Sequence, residues 1–382
     1  MNNSLIRIVN ITLSNIKNVA DGSISLNEIN DDTLGASIVG IYGQNGSGKT
    51  ALIWAFELIK DAISGAPLPR DTYFYIRQQA STATIKVEFL INFGDREYNV
   101  FYTVVIGKIT DEKAQIVSEH VEFSAKAFNN ISRINKTKIL GIDYPQGTDE
   151  IDECFYVPDT RITEMSSNDK QIRQKLLVLQ ALANEKTTSF IFNDKMMALL
   201  KGAFAAPIYY RILEALLFYG RMNLFVLNKN SESSFNMNLL PLSMRLSTEN
   251  SITKCDAIPV GLGQNTCNIE TFETIEKIIE QIDILLGSII PGLNVEIIQK
   301  STQLNEKAEE QIVFELVSDR NGIKTPLRYE SEGIKKILCI LSSLIAMYNN
   351  QSIFVAIDEM DAGIFEYLLG EILSTINKTG KG

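Results

Sequence analysis

Glycines at 43, 46 and 48 run directly into Lys49 and Thr50, so Gly43 to Thr50 reads G-x-x-x-x-G-K-T. Three glycines in so short a span let the backbone bend until successive N–H groups point inward, which is how a polypeptide surrounds phosphate oxygens. The lysine that follows reaches the β- and γ-phosphates, and the threonine hydroxyl takes one position on a Mg2+ ion. An apolar run (Ile38, Val39, Ile41, Tyr42) precedes the glycines and helical periodicity begins at Ala51. The motif therefore stands in its strand, loop, helix setting, with the positive end of the helix behind the phosphates. The nucleotide-binding set is Gly43, Gln44, Asn45, Gly46, Ser47, Gly48, Lys49, Thr50 and Ala51. The competing reading is a glycine-rich turn before a helix; the full match with both flanks favours a nucleoside triphosphate with Mg2+.

A second constellation lies near the other end. Ser352 to Glu359, SIFVAIDE, is an apolar strand ending in two carboxylates. In this Walker B form Asp358 holds Mg2+, directly or through water, while Glu359 orients and deprotonates the attacking water. A parallel α/β sheet gathers such strand ends around its ligand, so the pair is expected beside the phosphate loop. The plain alternative is an acidic pair at a helix N-terminus. Between the two constellations stands Tyr329-Glu330-Ser331-Glu332-Gly333-Ile334-Lys335-Lys336 ahead of an apolar helix. Ser331 and Gly333 at that helix start make either an anion site or an ordinary cap.

These residues need elements to hold them. Leu5 to Leu13 alternates as a strand, Ser23 to Leu26 pairs with it, and Asn27 to Thr33 is a loop. After the helix from Ala51, Pro67 and Pro69 stop helical structure. Thr82 to Ile109 is β-rich around a turn at Gly94-Asp95, and Ala114 to Ser124 adds a strand carrying the chain's one histidine, His120. That histidine reads as a solvated or hydrogen-bonded strand residue, since no partner motif adjoins it. Lys126 to Glu153 reads as irregular, Cys154 to Val157 as a strand returning to the core, and Pro158 to Arg161 as a turn. Arg161 is either a loop arginine or a phosphate neighbour. Asp169 to Asn228 has helical spacing. Lys229 to Thr266, rich in Asn, Ser and Gly, reads as a loop or linker. Cys267 to Gly287 is helical, Val295 to Ile298 and Gln311 to Val317 are strands, and Asp319 to Gly322 is a hairpin turn.

Composition bounds the function. The 382 residues are 45% hydrophobic, enough to bury a large core. A net charge of −10 and a pI near 4.9 oppose nucleic-acid binding by overall electrostatics, though a local basic groove is compatible with them. Cys154, Cys255, Cys267 and Cys339 never form a C-x-x-C pair, which suggests neither zinc nor a disulfide frame and fits a reducing cytoplasm. The N-terminus has no basic segment followed by a continuous apolar run, and no stretch approaches membrane-spanning length, so no membrane partner is expected.

The order of phosphate loop, β lobe, helical insertion, Ser-x-Gly helix and Walker B strand resembles the ABC-type ATPases. Within them the chain is similar to the SMC- and RecF-related AAA group that includes OLD-family and abortive-infection ATPases. The residues carrying the likeness are GQNGSGKT (Gly43 to Thr50), SEGIKK (Ser331 to Lys336) and FVAIDEMDAG (Phe354 to Gly363). The resemblance implies an α/β fold, a P-loop NTPase head of ABC type with an inserted antiparallel β lobe and a helical subdomain. Residues 1–165 would hold the phosphate loop and β lobe, 166–290 the helical insertion with its polar loop, and 291–382 the signature-like motif and Walker B. It further implies that Ser331 and Gly333 contact the γ-phosphate held by a second subunit, with Asp361 in the loop that communicates across the dimer. ATP would be sandwiched in a homodimer, or a higher oligomer, through shared sites, and hydrolysis would release it. Two departures stand out. Glu332 occupies a place where small residues are usual, and no histidine follows Asp358 where the family carries a switch histidine. The second leads to the expectation that the sequence stops one or more strands short of a complete head.

Three function classes follow. One is an ATPase whose nucleotide-dependent dimerisation acts as a switch in antiphage defence or DNA maintenance. Another is an ATP-binding scaffold with little turnover that sequesters or releases an effector, a nuclease or toxin. The last is a transport ATPase, for whose Gln-containing loop Gln78 and Gln79 are candidates by proximity alone, and which the long β lobe and large helical insertion oppose.

Overall fold

Apolar residues on alternate positions need a sheet with one covered face, and that face is what the N-terminal half builds. The computed structural model describes residues 4–26, 37–94, 96–110, 112–127, 132–144, 155–156, 170–228, 239–247, 252–348, 350–361 and 366–379. The chain divides into two compact units. The first takes in the described residues up to 26 and those of 39–224; the second takes in 37–38 and the described residues from 225 onward.

In the first unit, β1 (Leu5–Ile16) pairs antiparallel with β2 (Val19–Ser25). A register shift between Ile8 and Asn10, where β1 meets the third strand, explains why the alternation in Leu5 to Leu13 is loose. After α1 (Lys49–Ser64) come β3 (Thr82–Asn92), β4 (Glu97–Lys108), β5 (Ala114–Ala125), β6 (Ile134–Asp143) and β7 (Phe155–Tyr156). They form a seven-stranded sheet in the order β2-β1-β3-β4-β5-β6-β7, antiparallel throughout. Ile85, Val87, Phe89 and Ile91 of β3, and Val100, Tyr102, Val104 and Ile106 of β4, are buried.

Helices cover that face. α2 (Lys170–Lys186), α3 (Asp194–Leu200) and α4 (Pro207–Met222) follow β7, with Asn193 capping α3 through bonds from Lys195 and Met196 N–H and Pro207 opening α4. Edge-to-face rings join the layers: Phe89 with Tyr219 at 5.7 Å between centroids, and Tyr102 with Phe192 and Phe123 with Tyr209 at 5.5 Å. α4 also lies against α1, where Gly220 allows the close approach: a Cβ there would stand 2.5 Å from Ile63 Cγ1.

In the second unit, β8 (Leu224–Leu227), β9 (Leu239–Ser247), β10 (Ile252–Gly261) and β11 (Gln264–Asn268) lead to α5 (Ile269–Ile289). Then follow β12 (Leu293–Leu304), β13 (Glu310–Arg320), β14 (Ile323–Pro326), α6 (Glu332–Tyr348), β15 (Phe354–Ile357) and α7 (Glu366–Thr379). β11, β13, β12 and β14 form one sheet, β9 pairs with β10, and β15 pairs with β8. The core gathers the inner face of α5 (Ile275, Ile278, Ile282, Leu286), Leu240 and Leu242 of β9, and α6, which is buried almost all round from Ile337 to Leu341 and again from Leu344 to Met347. The turn between β13 and β14 is a two-residue hairpin with Asn321 at φ 55° and Gly322 at φ 85°, as its sequence predicts.

Five expectations are corrected. The run ahead of the phosphate loop belongs to no ladder among the described residues, and it is exposed: Ile38 39%, Val39 47%, Ile41 42%, Tyr42 90%. Apolar character marks a segment that can be buried, but a strand exists only where a neighbour takes its main-chain groups. The stretch read as irregular contains β6, whose polar Asn135, Lys136 and Lys138 mask the pattern while Ile139, Leu140 and Ile142 are buried. Within the segment read as helical, Leu224 to Leu227 is β8; within the one read as a linker lie β9, β10 and part of β11. β7, expected to return the chain to a core strand, pairs with β6 at the sheet edge. The expected loop 27–33 and the turn with Arg161 lie outside the described residues.

Candidate functional site

The phosphate loop is built by a turn and a bare helix start. Ser47 N–H donates to Gln44 O at 3.1 Å, and Gly46 (φ 83°) and Gly48 (φ 101°) take the left-handed backbone that only glycine adopts freely. Gly48 is the N-cap of α1 and offers no side chain; the first intrahelical bond runs from Leu52 N–H to Gly48 O at 3.2 Å. The amides of Lys49, Thr50 and Ala51 thus precede the helical ladder, at the positive end of the dipole. Lys49 is folded back on the loop, its Nζ donating to Gly43 O at 2.6 Å and Gln44 O at 2.9 Å. Those carbonyls occupy the ammonium as phosphate oxygens would. The cradle fits a polyphosphate: orphan donors, an adjacent cation and no Cβ at its bends.

The β1–β2 hairpin buttresses this loop, a role that sequence reasoning missed. Asn18 Nδ2 donates to Gly46 O, and a Cβ on Gly48 would lie 2.7 Å from Val19 Cγ2. Lys17, at φ 51°, sets its ammonium 2.8 Å from the centre of the Trp54 ring on α1. The two-residue turn Lys17-Asn18 is visible in the sequence; where the tip lands is not.

The second unit holds the acidic pair. Asp358 N–H donates to Leu227 O at 2.9 Å, extending the β15–β8 contact by one residue past the strand. Its Oδ2 is buried without a hydrogen-bond partner, an acceptor that a hydrated or direct cation would satisfy. Glu359 is exposed and sits at φ 50°, a left-handed conformation that costs a non-glycine residue about 1–2 kcal/mol. Lys336 Nζ donates to Glu359 O at 2.6 Å.

α6 starts where the Ser-x-Gly motif was placed. Ser331 accepts a long bond from Ile334 N–H at 3.4 Å through Oγ, and Lys335 N–H donates to Ser331 O at 3.2 Å. Ser331 therefore does act as a cap, weakly, while remaining exposed along with Glu332, and Gly333 is half-buried. The residue before it is firmly held. Ser318 Oγ donates to Glu330 Oε1 at 2.6 Å and Arg320 Nη2 to Glu330 Oε2 at 3.0 Å.

His120 is a hydrogen-bonded strand residue, as read: its Nε2 lies 2.8 Å from Asp143 Oδ1, to which Ser118 Oγ donates at 2.5 Å. Both groups meet one carboxylate oxygen and not each other, so no serine–histidine relay exists. Burial raises the Asp143 pKa, but the bonds from Ser118 and His120 bring it below the ordinary carboxylate value.

A family model described as an AAA domain matches residues 10–313. No curated protein matches. Among solved structures, the chain is similar to an Smc head domain with an extended coiled coil, bound to the C-terminal domain of ScpA, derived from Pyrococcus furiosus. Identity is 14% and the TM-score 0.41, over 97% of this chain and 86% of that one. It is also similar to the recombination mediator RecF with ATP, at 12% identity and a TM-score of 0.40 over 99% and 93%. A Pyrococcus yayanosii Smc head with coiled coil and joint gives 12% and 0.39 over 97% and 90%.

Proposed function

This chain belongs to the AAA-domain family, and from that premise we propose that it is an SMC/RecF-like ABC-type ATPase that binds Mg-ATP and uses it as a dimerisation switch. The observation that carries the reading is the phosphate loop, with uncapped amides at Lys49, Thr50 and Ala51 and the Lys49 ammonium on its rim. On this reading Gly43 to Ala51 would take the phosphates, Thr50 and Asp358 would each offer an oxygen to Mg2+, and Glu359 would accept a proton from the attacking water. The ion supplies charge neutralisation at the phosphoryl oxygens. Ser331 and Gly333, exposed and half-buried at the start of α6, are assigned to the nucleotide of a second copy. The work served is antiphage defence or DNA-related maintenance in the cytoplasm; among the described residues no helix is long and apolar enough to cross a membrane.

Two variants test this together. Lys49→Ala loses a charge-assisted contact worth about 1.5–3 kcal/mol, so its ATP affinity by calorimetry falls at least ~10-fold. Glu359→Gln retains ATP binding and loses phosphate release. A Lys49→Ala chain that binds ATP as tightly as its parent, or a Glu359→Gln chain that turns over normally, ends the reading. The net charge of −10 supports a second one, a slow-turnover scaffold whose partner is an effector protein and not a nucleic acid. It is selected by an effector that co-purifies with a chain releasing no phosphate.

A further inference from the structure

Two consecutive lysines, Lys335 and Lys336, sit close to the start of α6, and both are 8% exposed. Lysine is seldom so deeply placed unless its ammonium is matched. Each here donates to a main-chain carbonyl, Lys335 Nζ to Arg328 O at 3.0 Å and Lys336 Nζ to Glu359 O at 2.6 Å. The first bond is local, tying α6 to the short turn Leu327–Tyr329 that precedes it. The second spans 23 residues and reaches Glu359, at φ 50° the one non-glycine left-handed residue after Asn321 among the described residues.

Resting on the reading of Glu359 as the base, we infer that Lys336 is a positioning residue for it: the ammonium fixes the Glu359 carbonyl and so holds the left-handed turn that aims the carboxylate. The φ of Glu359 sets where its Cα–Cβ bond points relative to β15. An exposed glutamate in relaxed, right-handed or extended backbone would carry its carboxylate elsewhere. A strained backbone persists only where surrounding groups over-determine it, and a buried cation on the carbonyl is such a group. The same bond joins the helix bearing Ser331 and Gly333 to the end of the Walker B strand. Movement of α6 is thereby transmitted to the turn at Glu359 by one contact within one unit.

Lys336→Met keeps the aliphatic stem in its buried slot and removes only the ammonium; Lys336→Arg restores a cationic donor. The expected result for Lys336→Met is a kcat lowered by about 10- to 100-fold with KM and calorimetric ATP affinity within about twofold of the parent. Lys336→Arg recovers most of the loss. Hydrogen exchange followed by mass spectrometry gives a readout independent of turnover. Peptides covering 358–361 exchange faster in Lys336→Met, while those from β12 and β13 are unchanged. Parental kcat in Lys336→Met, a loss of kcat that Lys336→Arg does not relieve, or unaltered exchange at 358–361 overturns the inference. If Glu359→Gln abolishes turnover and Lys336→Met does not lower it, only this inference fails; if Glu359→Gln turns over normally, the reading beneath it fails.

Discussion

Glu119 has no exposed surface, yet it is among the best-satisfied side chains in the first unit. Its Oε1 accepts from Tyr102 Oη at 2.8 Å and Ser189 Oγ at 2.5 Å, and its Oε2 from the N–H groups of Phe190 at 3.1 Å and Ile191 at 3.3 Å. One carboxylate from β5 thus fixes the turn leading into α3. Burial pushes its pKa above the ordinary carboxylate value, against the pull of those bonds. Glu119→Ala strands these donors and is expected to cost about 3–5 kcal/mol in urea unfolding. Glu119→Gln should cost less than about 1 kcal/mol, because its carbonyl can take the two backbone donors while its NH2 group donates to the two hydroxyls. The sign of the pH effect follows from the raised pKa. Between the unfolded and folded values the folded chain binds more protons, so this contribution is complete below that interval and is lost as pH rises through it. The stability difference between parent and Glu119→Gln should therefore shift against the parent as pH rises from the usual carboxylate range upward.

At the scale of elements, the placement of α1 decides whether its N-terminal amides face a ligand. Its inner side, including Ile53, Phe56, Ile59 and Ile63, is buried, and its C-terminus closes on Gly65 at φ 74°. Arg221 of α4 adds a second closure, Nε donating to Ser64 O at 2.9 Å and Nη2 to Asp194 Oδ1 at 2.7 Å. Gly220 beside it leaves room for α1: an added Cβ would also stand 3.0 Å from Ser64 N. Gly220→Val must push the helices apart, with an expected loss of about 2 kcal/mol or more. Trp54, the chain's single tryptophan, lies on α1 and reports the shift as a lower urea midpoint by fluorescence. An unchanged midpoint would mean that α1 and α4 are not locked together at this point.

At the scale of the whole molecule, the proposed switch is an association. Glu359→Gln, unable to complete hydrolysis, should sediment as a larger species with Mg-ATP than without it, and Ser331→Arg should abolish the change by filling the start of α6. Identical sedimentation in both states would remove dimerisation from the proposal. The sequence by itself determined the features set by local chemistry. Glycines with a following lysine and threonine specified the phosphate loop and α1, strict alternation from Thr82 to Ser124 specified β3, β4 and β5, and Asn321-Gly322 specified its hairpin. Tertiary structure decided the features that depend on a distant partner. β6 and β10 carry too many polar residues to announce themselves, while β9 alternates but stands beside an Asn- and Ser-rich stretch; they are strands because β5, and β9 and β10 mutually, supply their hydrogen bonds. The run from Ile38 to Tyr42 looks like a strand and lies in no ladder, for the same reason in reverse. The support of Gly46 and Gly48 by Asn18 and Val19, and the hold of Lys336 on Glu359, join residues 28 and 23 positions apart in the clearest cases. Periodicity reports what a residue's neighbours in sequence can bury or expose; hydrogen bonds across such separations are chosen only when the chain has folded.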